Sequence, residues 1–125
     1  MNRPSLMAIL FIFLTVTWTV AGQLLVKKGM LEVGSSPSQI RLLPGFVWRA
    51  LTNWKVVSGL ICAVAAALSW IVAISRSELS FAYPFTALAI VTVLALSGAL
   101  FHEKVSITRW IGVAIVCVGI LVASR

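Results

Sequence analysis

Three stretches of this sequence, 5–26, 56–75 and 79–101, run for the thickness of a membrane without a charged residue. A helix rises about 1.5 Å per residue, so each stretch can cross a hydrocarbon core of about 30 Å. No water-soluble fold of 125 residues can cover three such runs with a polar surface when only 10% of its residues are charged and 61% are apolar. The mean hydropathy of +1.08 points the same way. A fourth uncharged block, 110–124, is short, but it reaches membrane thickness if its helix begins near residue 106 with Arg109 in the first turn, snorkelling to the headgroups. The expected fold is therefore all-α, an integral membrane four-helix bundle with helices at about 5–26, 56–75, 79–101 and 106–124, in one domain covering 1–125.

The first block also has the outline of a secretory signal, with Arg3 ahead of it and the small residues Ala21 and Gly22 at its end. It is longer than the apolar region of such a signal, and the later blocks supply the insertion signal of a membrane protein, so four retained spans are expected.

The net charge of +7 comes from ten basic and three acidic residues. The basic residues sit at the edges of apolar blocks and not in a stripe interleaved with aromatics, which argues against nucleic acid and for contact with anionic membrane lipid. Consecutive connections lie on opposite sides of a bilayer. Lys27, Lys28, Arg41, Arg49, Lys55, Lys104 and Arg109 then fall on one side, and Arg3, Arg76 and Arg125 on the other. The positive-inside rule puts the first and third connections in the cytoplasm and both termini outside.

Composition also limits the chemistry. Cys62 and Cys117 lie singly in apolar blocks, where a free Cys behaves as a small hydrophobe. One His and no paired carboxylates leave little for metal binding or acid/base catalysis, so neither an enzyme nor a cofactor is expected.

The connection 27–55 is the only sizeable polar one, and Gly34, Ser35, Ser36, Pro37, Ser38, Pro44 and Gly45 mark it as loop and turn. Within it, Phe46, Val47, Trp48, Leu51 and Trp54 alternate with Arg49, Asn53 and Lys55. Two readings stand: a short amphipathic segment on the membrane surface, or a tryptophan belt opening helix two. The connections near 76–78 and 102–106 are so short that consecutive helices must be antiparallel neighbours.

Polar groups inside a membrane need a partner or a purpose. Helix one carries Thr15, Thr17, Trp18, Thr19 and Gln23, then Lys27 and Lys28. Gln23 and Lys27 are one turn apart on one face, which suits an anionic group at the helix end. The alternative is structural: hydroxyls bonded to their own backbone, Gln23 bonded to a neighbour, and lysines that only anchor. Tyr83 and Pro84 near the start of helix three read as a break lining a cavity, or as an interfacial ring beside a Pro in a permissive first turn. Trp70 faces the same cavity or packs. His102 and Glu103 precede helix four, where Glu103 caps the helix, pairs with Lys104 or Arg109, or serves as a gate contact. Gly112 and Gly119, on one face of helix four, let a second helix approach closely.

The segment from Glu103 through Gly112 to Gly119, with Phe81, Ala82, Tyr83 and Pro84 before it, resembles the closing helices of the drug/metabolite transporter superfamily, often called the EamA domain. Within it, the four-helix size and the string Ala21, Gly22, Gln23 with Lys27 look most like the flippase subunits that move aminoarabinose-phosphoundecaprenol. The small multidrug resistance transporters share the four-helix plan but place a proton-coupling Glu in helix one roughly where Thr19 stands, and no acid occupies this helix.

The resemblance implies a transporter of a lipid-linked sugar of the undecaprenyl-phosphate type in a bacterial inner membrane. Its headgroup would enter a groove while the prenyl tail stays in lipid. Lys27, Arg49 and Lys55 are the candidates for the phosphate, with Gln23, Trp18, Tyr83 and Trp70 around it. A groove between two protomers implies a homodimer or a heterodimer with a related four-helix protein. A small-solute or drug exporter of the same fold and an accessory subunit of a membrane glycosyltransferase are the alternatives.

Overall fold

A polar side chain caps the start of each of the two longest helices. The computed structural model describes residues 4–123 and 125, so Arg3 of the charge count and Ser124 at the expected end of helix four lie outside the described residues. Helix α1 spans Leu6–Val33. The Ser5 hydroxyl oxygen accepts the Ala8 amide at 3.1 Å, capping its start. At its end Gly34 has φ 96° and donates its amide to the Met30 carbonyl at 3.0 Å, a conformation open to glycine and costly for a side chain.

The helix thus passes its expected end at Val26, and Lys27, Lys28 and Glu32 belong to it and not to the connection. The physical reason is that polar residues mark where a helix leaves hydrocarbon, whereas backbone hydrogen bonding continues until a terminator such as Gly34.

What remains of the connection holds a 3-10 turn, Ile40–Leu42, and helix α2, Leu43–Thr52. Pro44 stands in its first turn, where its missing amide costs nothing. Val47, Trp48 and Leu51 are exposed and Ala50 is buried. Asn53 separates α2 from the next helix by an extended backbone (φ −78°, ψ 121°), so of the two readings this segment is a short helix of its own. The Asn53 side-chain oxygen Oδ1 accepts the amides of Lys55 (3.0 Å) and Val56 (3.3 Å) and caps α3, Trp54–Ser75.

The third span, Leu79–Phe101, has three parts: α4 (Leu79–Ala82), a 3-10 turn (Tyr83–Phe85) and α5 (Thr86–Phe101). Pro84 explains the tightened turn, since it lacks an amide and its ring crowds the preceding turn. His102 then adopts a left-handed conformation (φ 53°, ψ 30°) and reverses the chain. Helix α6 is Ile107–Ala123, shorter than the other spans, and the Ser106 oxygen, not Glu103, accepts an amide of its first turn, from Arg109 at 3.4 Å.

The chain is an all-α membrane bundle, and its tightest seam joins α1 to α3. A Cβ on Gly22 would lie 2.9 Å from the Gly59 carbonyl oxygen, and one on Gly29 would lie 2.6 Å from Val56 Cγ2. Lipid supplies no hydrophobic drive between helices, so close backbone approach and dense van der Waals contact hold such a seam. The other end of the bundle is closed by Ile12, Ala73 and Ala82 under the rings of Phe11, Trp70, Phe81 and Phe85. Hydroxyls are quenched locally: those of Thr15, Thr17, Ser58, Ser69 and Thr92 donate to carbonyls one turn back. Ala87 is the only buried residue of α5, and α6 buries none among the described residues.

Candidate functional site

Two adjoining cavities flank the middle and the Lys27 end of α1. The first, of about 670 Å³, lies along the α1–α3 seam and is lined by Thr15, Thr19, Gly22, Gln23, Lys27, Met30 and Trp70, among others. The second, of about 470 Å³, lies between α1, α5 and α6, with Gln23, Lys27, Ser97, Phe101, Glu103 and Val113 in its wall. Gln23 and Lys27 line both, so helix one presents its polar stripe as a partition between two grooves.

The stripe follows from helical geometry. Thr15, Thr19, Gln23 and Lys27 are each one turn apart and fall on one face. Gly22 and Gly59 draw α1 and α3 together beside it, and small side chains such as Ala63, Ala66 and Ala67 leave room in the first cavity. Thr19 lines this wall, and no acidic residue does.

At the rim the Lys27 ammonium meets the Glu103 carboxylate at 3.2 Å, with 49% and 39% of the two side chains exposed. Glu103 therefore pairs across the bundle and not with its neighbours Lys104 or Arg109. The turn carrying it folds back over Gly98, where a Cβ would come within 3.7 Å of the Glu103 carbonyl and 3.5 Å of Val105. The contact also puts the first and third connections at one end of the bundle. Gln23 makes no hydrogen bond among the described residues, so its amide is available to a ligand.

The other candidates are distributed differently. Trp70 lines the first cavity, and its ring meets that of Tyr83 edge-on at 5.8 Å and 89°, so Tyr83 adjoins the cavity through Trp70. Trp18 is exposed on α1 outside both linings, and Arg49 is exposed on α2. The Lys55 ammonium is bonded to Glu32, whose other oxygen accepts from the Asn53 amide at 3.0 Å. This network ties the end of α1 to the start of α3 and lies apart from both cavities. His102 is exposed and shapes the turn. Gly112 and Gly119 have nothing within 4 Å of a built Cβ.

Sequence reasoning missed Glu32 and Asn53. Their one local signal was that Glu32 is among only three acids and Asn53 stands three residues before an apolar block.

No family model matches the chain, and no solved structure matches it. Similar curated proteins do exist. The chain is 30% identical over 115 residues to one from Aeromonas hydrophila, covering 92% of this chain and 95% of that protein. A Pseudomonas fluorescens protein is 30% identical over 121 residues (95% and 98%), and one from Salmonella typhimurium is 31% identical over 105 residues (81% and 94%). All three carry the name "Probable 4-amino-4-deoxy-L-arabinose-phosphoundecaprenol flippase subunit ArnE". With nearly the whole length of both chains aligned at this identity, the chain belongs to the ArnE family of flippase subunits.

Proposed function

We propose that this protein is one subunit of a flippase that carries an aminosugar-phosphoprenol across the bacterial inner membrane, in which it is a multi-pass protein. The observation that carries the reading is the shared wall of the two cavities: Lys27 and Gln23 line a largely apolar recess that lies beside a membrane-spanning helix and is open to the outside. A polar headgroup enters such a recess while its prenyl tail remains in lipid, and the ammonium engages the phosphate. The basic bias of the first and third connections supports a cytoplasmic orientation for the Lys27 end, and hence headgroup entry from that side. No bond is made or broken in this activity, so the protein acts as a carrier and not as an enzyme.

Four helices enclose little space, and the printed word "subunit" in the relatives' names fits a partner. The uncovered face of α6, with Gly112 and Gly119, is the surface proposed to receive a second four-helix protein. Alternating exposure of the groove would then come from rocking one subunit against the other.

Native mass spectrometry of the protein, extracted gently from its own membrane, tests both claims. The expected species is a complex of two four-helix chains carrying a polyprenyl phosphate with an aminosugar mass. A lipid-free monomer, or a complex with a glycosyltransferase, overturns the proposal and favours the accessory-subunit reading.

A further inference from the structure

A site that only had to hold a phosphate would leave its lysine unpaired, yet the lysine that partitions the two cavities is already neutralised. Lys27 and Glu103 stand 3.2 Å apart, both half-exposed, and both line the smaller cavity. Among the described residues one other salt bridge exists, Lys55 with Glu32, and neither of its residues lines either cavity. The two other acids, Glu32 and Glu78, are likewise absent from the linings, so Glu103 is the one carboxylate either groove offers.

We infer that the Lys27–Glu103 ion pair is an exchangeable lock that selects zwitterionic headgroups, Lys27 taking the phosphate and Glu103 the sugar ammonium. The inference rests on the proposed transport of an aminosugar-phosphoprenol and assigns its specificity.

The electrostatics favour this class of ligand over a plain phosphoprenol. An ion pair exposed to this degree is held weakly, so a ligand can open it at little cost. A simple anion that takes Lys27 leaves Glu103 unpartnered beside a second negative charge, and a like-charge contact opposes binding. A ligand bearing both charges gives each side chain a new partner as it removes the old one. The exchange is then nearly neutral in Coulomb energy, and charge-assisted hydrogen bonds set the preference. The residues suit an exchange mechanically as well. Lys27 has a flexible four-carbon stem, Glu103 sits in a turn and not within a helix, and Gln23, one helical turn from Lys27, can hold a sugar hydroxyl or phosphate oxygen. Once the headgroup has left, the pair re-forms and masks both charges in the empty groove.

The test uses the full chain in lipid nanodiscs, with any subunit that co-purifies, and three probes: a 4-aminosugar phosphoprenol, its N-acetyl derivative, and the unsubstituted phosphoprenol. Binding is read by native mass spectrometry and by quenching of tryptophan fluorescence. The parent protein is expected to prefer the free amine over the N-acetyl form by about tenfold or more, as a site built for a polar group rejects the analogue lacking it. E103Q should abolish that preference by losing affinity for the amine while retaining or gaining affinity for the unsubstituted phosphoprenol. K27Q should weaken all three. The swapped K27E/E103K protein keeps the ion pair, and circular dichroism of all variants separates binding from folding. If the parent binds the amine and N-acetyl probes equally, or E103Q keeps the full preference, the inference is overturned while the flippase reading stands. If the parent binds none of the three, both fall.

Discussion

Gly22 and Gly59 face each other across the α1–α3 seam so closely that a Cβ on Gly59 would stand 2.7 Å from the Gly22 carbonyl oxygen and 2.6 Å from Val26 Cγ2. One of those atoms is backbone and cannot rotate away. G59A should therefore push the helices apart and cost about 1–3 kcal/mol, the usual penalty of overpacking. Thermal unfolding in detergent checks this, with G45A as control because its Cβ would meet nothing within 4 Å. A G59A protein that melts with the parent would mean that the seam is looser than described.

Asn53 joins two tasks at the mouth of the bundle. Its side-chain oxygen caps α3, and its amide nitrogen holds Glu32 at the end of α1. Removing the cap alone typically costs about 1 kcal/mol, so N53A should lower the midpoint of unfolding, and N53D should keep the cap while losing the donor to Glu32. The two variants separate the tasks. Equal loss in both would assign the stability to the Glu32 contact and not to the cap.

These two relationships show what was legible in the sequence. The spans were, because absence of charge over membrane thickness is a local property that one strand of text displays. The extension of α1 was not. Lys27 and Lys28 look like the start of a loop when charge is the ruler, but the chain stays helical to Val33 and stops at Gly34, a signal read correctly as a turn but not tied to the helix. Asn53, three residues before the apolar block 56–75, held the answer to whether the tryptophan-rich segment was separate, since a side chain that caps one helix ends the other.

Contacts between distant positions were the least visible. Gln23 and Lys27 were legible as a shared face, because one turn of helix relates them. Glu103 was matched with Lys104 and Arg109, the cations nearest in sequence, whereas the fold brings it to Lys27. Lys55, a phosphate candidate on charge alone, is held by Glu32. In each case the partner lies on another helix, and no periodicity within one helix reports the packing that joins them.

Lys27 and Gln23 predict a functional phenotype without a folding one. Both are exposed to the grooves, and neither supports the α1–α3 seam. K27A should lower the rate of flipping of a labelled aminosugar-phosphoprenol in proteoliposomes by about tenfold or more, consistent with the loss of one charge-assisted contact. Q23A should slow it by less, because a neutral hydrogen bond contributes only about 1 kcal/mol. Helical content and melting should match the parent. Parental flipping rates in both variants would remove these residues from the site.

Gly112 and Gly119 make the complementary prediction, a phenotype in assembly alone. Each lies on exposed α6 with open space around a built Cβ, so a larger side chain clashes with nothing in the isolated chain. Leucine also suits a helix better than glycine by about 0.8 kcal/mol, so G112L/G119L should fold at least as well as the parent. If these glycines admit a second helix, the added side chains hold the two backbones apart and the association weakens. Mass measurement of the extracted complex, together with cross-linking through a cysteine placed at Ile115, should show a smaller dimeric fraction and unchanged melting of the remaining monomer. An unchanged dimeric fraction would move the subunit contact to another face, of which exposed α2 with Val47, Trp48 and Leu51 is the next to test.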